Sequence, residues 1–167
     1  EPIMVSEECV PSQGHREQGV SSAYTRQKIS IQIRPGERMN VWLLIPQGTG
    51  PFPAIVALHQ TVDEGKDETV GLGGYYWRLH FAPFLASRGY VVIAPDSPAS
   101  GERYDIDKEG AWFTGDETAK NPKWSLVGQR LVDHIRCVDY LETLQFVDKS
   151  RIGVIGHSLG GESATIL

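Results

Sequence analysis

Three short apolar runs, each followed within two residues by a polar residue or a glycine, constrain the fold of this chain more than any other feature. They occupy residues 54–58, 90–94 and 152–155. An uninterrupted apolar run of this length is typical of a strand covered on both faces, as in a parallel sheet. In such sheets ligands bind at the carboxyl ends of the strands. The residues that follow the three runs are therefore the first candidates for function.

The segments between these runs predict helices. The first covers residues 77–88 and is stopped by Gly89. A longer amphipathic helix is predicted to begin with Asn121 as N-cap and Pro122 in the first turn. Its apolar residues, at spacings of three and four, are Val127, Leu131, Ile135, Val138 and Leu141. The alternation of strands and helices predicts an α/β fold in which a mostly parallel sheet carries helices on both faces.

An antiparallel hairpin is predicted ahead of this alternation. Apolar and polar residues alternate over 29–34, and a second strand is predicted over 41–45, with turn residues between them. Residues 1–26 are polar and without a sustained period, so we expect a lead-in segment with little structure of its own. Residues 27–167 are then the folded domain.

Composition excludes several classes of protein. Charged residues make up 22% of the chain and its net charge is −5, without any block of basic residues, so nucleic-acid binding is not predicted. The sequence has no apolar run of membrane-spanning length, so no membrane association is predicted either. Cys9 and Cys137 lie far apart, and two unrelated thiols are a better interpretation than a disulfide.

The strongest motif is Gly156-His157-Ser158-Leu159-Gly160, which stands between the third apolar run and a helix-forming segment. A turn from strand to helix this tight strains the serine backbone, raises its hydroxyl above the sheet, and requires small residues at both glycine positions. An ordinary glycine-rich turn with a capping serine is the structural alternative. A phosphate-binding loop is a poorer one, since the glycine spacing matches neither nucleotide motif.

Around this serine the sequence predicts an oxyanion hole. Its backbone N–H donors would be Leu159, directly after the serine, and Thr61 in the loop after the first apolar run, with Gln60 as the alternative to Thr61. His59 is expected to hold that loop by hydrogen bonds rather than to act as a base. His157 is expected to be a packing or supporting residue.

No metal site or cofactor is predicted. The five histidines show no ligand spacing, and the two cysteines form no Cys-x-x-Cys pair. An acidic stretch in the loop after the first apolar run is interpreted as solvated surface, and its members are Asp63, Glu64, Asp67 and Glu68. Asp96, at the end of the second run, is expected to brace the following loop.

With these features the chain resembles the α/β-hydrolase superfamily, and within it the dienelactone-hydrolase-like and acetyl-xylan-esterase-like branch. The segments that carry the resemblance are 58–61, 87–96, 101–104, 139–141 and 151–161. Gln60 departs from the pattern, because these proteins usually have glycine there.

The resemblance implies a triad that runs serine, acid, histidine along the chain, with the last two beyond residue 167. We therefore expect this sequence to be the N-terminal part of a longer enzyme, weakly active or inactive alone. Without a further strand, the edge formed by residues 152–155 would be unpaired and open to self-association.

The leading hypothesis is a serine hydrolase that cleaves a small acetyl or short-chain ester through an acyl-enzyme on Ser158. A serine peptidase of the same superfamily is one alternative. A non-catalytic binding or assembly fragment with this fold is the other.

Overall fold

A computed structural model of the protein describes residues 3–10, 23–104 and 125–167. The strands are β1 (Ile3–Val10), β2 (Tyr24–Arg34), β3 (Glu37–Pro46), β4 (Phe52–Leu58), β5 (Val91–Pro95) and β6 (Val147–Gly156). The α-helices of the described ranges are α1 (Lys66–Thr69), α2 (Phe81–Ala86), α3 (Leu126–Thr143) and α4 (Leu159–Ile166).

The strands form one sheet in the order β1-β2-β3-β5-β4-β6. Strand β4 is parallel to both β5 and β6, while β2 and β3 form the predicted antiparallel hairpin. The α/β fold class is confirmed. The sheet is mixed, because β3 also pairs antiparallel with β5 and β1 adds another antiparallel strand beyond β2.

The lead-in segment differs from the prediction. Residues 3–10 form β1, which pairs with β2 from Ile3 opposite Ser30 to Val10 opposite Tyr24. The strand depends on backbone pairing with a partner some 20 residues further along the chain, which the local residue pattern does not reveal. Cys9, which was predicted to be a thiol unrelated to Cys137, lies on this strand. Its side chain is outside the described atoms.

Helices cover both faces of the sheet. On one face α3 packs on a core that includes Val41, Val56 and Ile93, whereas α2 packs with Trp42 and Val92 on the other. Helix α3 begins after Ser125, whose side chain accepts from the backbone N–H of Gly128. The predicted N-cap at Asn121 lies outside the described residues.

Two predicted elements have a different shape. The segment predicted as one helix over 77–88 is a 3₁₀ turn at Trp77–Leu79 and then the short α2, because His80 between them has the non-helical angles φ −79° and ψ 53°. Strand β6, predicted to be buried, lies at one edge of the described sheet, so from residue 151 to residue 156 its residues alternate between exposed and partly buried.

Candidate active site

Ser158 stands at an abrupt bend between β6 and α4. Its backbone angles are φ 49° and ψ −115°, and the only other non-glycine residue with positive φ in the described ranges is Ala99. Such angles are strained for a residue with a Cβ and persist only where the surroundings enforce them. The Ser158 side chain is exposed, and it makes no hydrogen bond to the helical N–H groups. This geometry disfavours the alternative of a capping serine in an ordinary turn.

Two glycines make the bend possible. A Cβ on Gly156 would lie 2.2 Å from the carbonyl oxygen of Gly160. A Cβ on Gly160 would lie 2.2 Å from the carbonyl oxygen of Leu58 and 2.8 Å from that of His59. Both contacts are with backbone, which cannot move aside as a side chain can. The elbow therefore packs directly against the end of β4.

The buried side chain of His59 holds the loop after β4 in place. This side chain is buried, its Nδ1 lies 2.5 Å from the Gln60 carbonyl oxygen, and its Nε2 accepts from the Ser97 backbone N–H at 2.9 Å. Because Nε2 accepts, Nδ1 carries the proton. Burial lowers the pKa of His59, so the ring is neutral. With both nitrogens bonded, His59 has no free atom with which to act as a base.

Gln60 joins this loop to the elbow. Its Oε1 lies 3.1 Å from Nδ1 of the exposed His157, and its Nε2 donates to Glu68. Thr61 follows as an exposed residue, and Leu159 is the first residue of α4. The N–H of a first helical residue has no partner within its own helix. Strand pairing of Leu58 with Gly156 places these two backbone segments side by side.

The sequence predicted that the whole acidic stretch is solvated surface, and this is wrong for two of its four residues. Asp63 and Glu64 are exposed, but Asp67 accepts from Trp42 Nε1 at 2.6 Å, and Glu68 is only 2% exposed. Helix α1, within a segment predicted as loop, carries the last two residues into the protein. Neither carboxylate has a sequence signal that distinguishes it from its exposed neighbours.

Asp96, at the end of β5, braces the loops as expected. Its carboxylate accepts from the backbone N–H of Lys66 at 2.8 Å, from Lys66 Nζ at 2.5 Å, and from the backbone N–H of Glu102 at 3.2 Å. Both charged side chains are about 1% exposed. Gly65 and Gly101 pack against this carboxylate so closely that a Cβ on either would lie 2.2 Å from Oδ1. The buried Lys66 was not identified from the sequence.

A second buried ionic cluster lies under α3. Asp133 accepts from Arg103 at 2.6 Å and from Arg34 at 3.0 Å. Burial raises the pKa of Asp133, and the two guanidinium groups oppose that effect. Because Arg103 follows β5 and Arg34 ends β2, the cluster ties α3 to the same edge of the sheet as the serine.

The described ranges contain neither a metal-binding cluster nor a membrane-spanning helix. Within residues 23–104 and 125–167, no three His, Cys, Asp or Glu side chains converge in a way that could hold a metal ion. None of the helices described here combines the length and apolarity needed to cross a bilayer.

Comparison with known proteins identifies the family. A family model described as "Alpha/beta hydrolase family" matches residues 55–166, which is more than half of the chain. The chain belongs to the α/β-hydrolases.

Among curated relatives, this α/β-hydrolase is 29% identical over 135 residues to YtaP, a candidate hydrolase of Bacillus subtilis. It is 26% identical over 142 residues to the esterase EstD of Thermotoga maritima, and 27% identical over 140 residues to Dipeptidyl-peptidase 5 of Porphyromonas gingivalis. These alignments cover 78%, 83% and 80% of the chain but 44%, 28% and 17% of the relatives. The chain thus spans less than half the length of each.

Solved structures show the same fold. A candidate acetyl xylan esterase from Bacteroides fragilis superposes with a TM-score of 0.72 at 23% identity, covering 98% of this α/β-hydrolase and 44% of that chain. A dienelactone hydrolase-like phosphotriesterase from metagenomic libraries superposes with a TM-score of 0.59 at 19% identity, covering 85% and 52%. The expected resemblance to these two groups is confirmed at the level of the fold.

Proposed function

We propose that this chain carries the nucleophile of a serine hydrolase that cleaves carboxylic esters. The observation that carries the proposal is the strained, exposed position of Ser158 at the start of α4. An elbow of this kind presents a serine hydroxyl to a substrate carbonyl at the edge of the sheet. The match to EstD supports an ester as the bond that is cleaved.

In the proposed mechanism Ser158 Oγ attacks the ester carbonyl while a histidine base removes its proton. The carbonyl oxygen becomes an oxyanion, which accepts hydrogen bonds from the N–H groups of Leu159 and Thr61, or of Gln60 in place of Thr61. The alcohol leaves with a proton from the histidine. Water then attacks the acyl-enzyme, and the acid is released with Ser158 restored.

The base and its acidic partner are proposed to belong to sequence beyond residue 167 of a longer protein. His59 is bonded at both ring nitrogens, and the ring of His134 is 1% exposed. The curated relatives are more than twice as long as the matched part of this chain, which leaves room for both residues. On this proposal residues 1–167 alone react slowly, since a serine without a base is a weak nucleophile.

A fluorophosphonate probe and mass spectrometry of the adduct test the proposal. We expect the complete protein to be labelled at Ser158, the Ser158→Ala variant not to be labelled, and the exposed-serine control Ser150→Ala to react like wild type. Failure of the complete protein to label at Ser158 would favour a non-catalytic module with this fold.

Substrate profiling separates the ester hydrolase from the peptidase. The match to Dipeptidyl-peptidase 5 is the specific reason to include the peptidase as a second candidate. We expect the complete protein to hydrolyse p-nitrophenyl acetate and to prefer it to longer acyl chains. Cleavage of dipeptidyl p-nitroanilides with little esterase activity would support the peptidase instead.

A further inference from the structure

The side chain of Gln60 bridges two groups that no local sequence pattern connects. Its Nε2 lies 3.1 Å from Glu68 Oε2 and 3.4 Å from Oε1, and its Oε1 lies 3.1 Å from His157 Nδ1. An ionised carboxylate only accepts, so the amide nitrogen faces Glu68 and the amide oxygen faces the histidine. His157 must then donate from Nδ1–H, which in the neutral ring is the Nδ1–H tautomer.

Glu68 is built into the protein rather than displayed on it. The side chain is 2% exposed. Gly74 packs against it so closely that a Cβ on Gly74 would lie 2.5 Å from Glu68 Cγ. Within the described part of the chain, Gln60 Nε2 is the one side-chain donor to this carboxylate. A buried carboxylate is costly unless it is hydrogen-bonded, so the bond to Gln60 is held tightly.

We infer that Glu68 is a positioning residue of the proposed esterase site, acting through Gln60 on His157. The bridge fixes the tautomer of the residue next to Ser158. It also holds the loop after β4 against the elbow, so that the N–H groups of Thr61 and Leu159 keep the separation that one oxyanion needs. The inference rests on the proposed function.

The expected kinetic signature follows from this role. The bridge touches neither the ester nor the leaving group, so loosening it lowers kcat and the rate of fluorophosphonate labelling while KM changes little. Displacing one oxyanion donor lowers the rate less than removing it does, so we expect kcat to fall by about tenfold to a hundredfold.

Exchanging the amide and the carboxylate tests the bridge. In Gln60→Glu two carboxylates oppose each other, so we expect that tenfold to hundredfold loss at pH 8. Measured against wild type at the same pH, the loss should shrink on acidification as the two carboxylates come to share a proton. Glu68→Gln keeps an acceptor for Gln60, and we expect a loss of about threefold at most. In the double variant the amide at position 68 donates to the carboxylate at position 60, which still accepts from His157, and we expect its activity within about threefold of wild type.

Two results would overturn the inference. One is a Gln60→Glu variant as active as wild type at pH 8, and the other is a double variant no better than Gln60→Glu. Because all three variants are nearly isosteric, a role in packing alone predicts neither the loss nor the rescue.

Nitrogen-15 NMR of His157 gives a readout that needs no catalysis. We expect the Nδ1–H tautomer in wild type and in the double variant, and a mixture of tautomers in Gln60→Ala. An Nε2–H tautomer in wild type would refute the bridge itself. If the expected tautomer is found but Ser158 is never labelled in the complete protein, the proposed function fails, and the positioning role fails with it while the geometry stands.

Discussion

The elbow that carries Ser158 is fixed by a contact between Gly160 and Leu58: a Cβ on Gly160 would lie 2.2 Å from the Leu58 carbonyl oxygen. Helix α4 thus starts directly on the end of β4, and no side chain separates the two. This contact sets the position of the serine relative to the loop that carries Gln60 and Thr61.

Gly160→Ala should therefore destabilise the protein and misplace the serine. Overpacking of this kind costs about 1–3 kcal/mol, and contact with backbone favours the upper end of the range. The matched control is Gly161→Ala, whose Cβ would stay 3.4 Å from its nearest neighbour, and which should change the free energy of unfolding by less than about 1 kcal/mol. Urea unfolding of both variants measures the difference. Equal stabilities would contradict the close packing of α4 on β4.

Removing one partner of the buried ion pair should be far more damaging than removing one from the surface. Asp96→Ala leaves the buried Lys66 with only the partly exposed Glu102 as an ionic partner, and we expect a loss of about 3 kcal/mol. The control is Asp139→Ala, which breaks an exposed pair with Arg136 and should cost less than about 1 kcal/mol. Thermal or urea unfolding provides the measurement. Similar losses in the two variants would contradict the predicted difference between a buried and an exposed ion pair.

Acid should destabilise the protein partly through His134. Burial lowers the pKa of this residue to about 3, against an ordinary value of 6.5. Between these two values the unfolded chain binds a proton that the folded chain does not, so stability falls as the pH is lowered through this window, by at most about 1.4 kcal/mol per pH unit. His134→Phe should make the decline in stability shallower between pH 6 and 4. Part of the decline should remain, because burial also lowers the pKa of His59. Unfolding midpoints across this range measure both slopes, and parallel slopes would contradict the prediction.

We propose that residues 1–167, produced alone, self-associate through β6. It is one of the two edge strands of the described sheet, and Ile155 on it is 37% exposed. A lysine on an edge strand opposes strand pairing between copies, so Ile155→Lys should lower the weight-average mass in light scattering. Val127→Lys, at an exposed apolar position on α3, should not. A monodisperse monomer for the unmodified chain would refute the proposal.

What could be predicted from the sequence is what neighbouring residues determine. The apolar runs predicted β4, β5 and β6. The two glycines that flank Ser158 predicted the bend, because Gly156 and Gly160 are only four residues apart and the clash that excludes larger side chains there is local. What could not be predicted depends on distant partners. Strand β1 exists through its pairing with β2, and Glu68 differs from the exposed Glu64 only because Gln60 and Gly74 close over it.

The Asp96 carboxylate has a consequence for how such a protein can be redesigned. The carboxylate accepts hydrogen bonds from the N–H groups of residues 66 and 102, and so joins the loop after β4 to the loop after β5. The segments that lead to these two residues therefore cannot be lengthened or exchanged independently of each other. An insertion before residue 66 or between 97 and 101 would pull one loop off the shared anchor and release the other. The exposed turn at residues 71–72 does not itself contact Asp96, so new loop sequence could be grafted there as long as Gly74 keeps its place against Glu68.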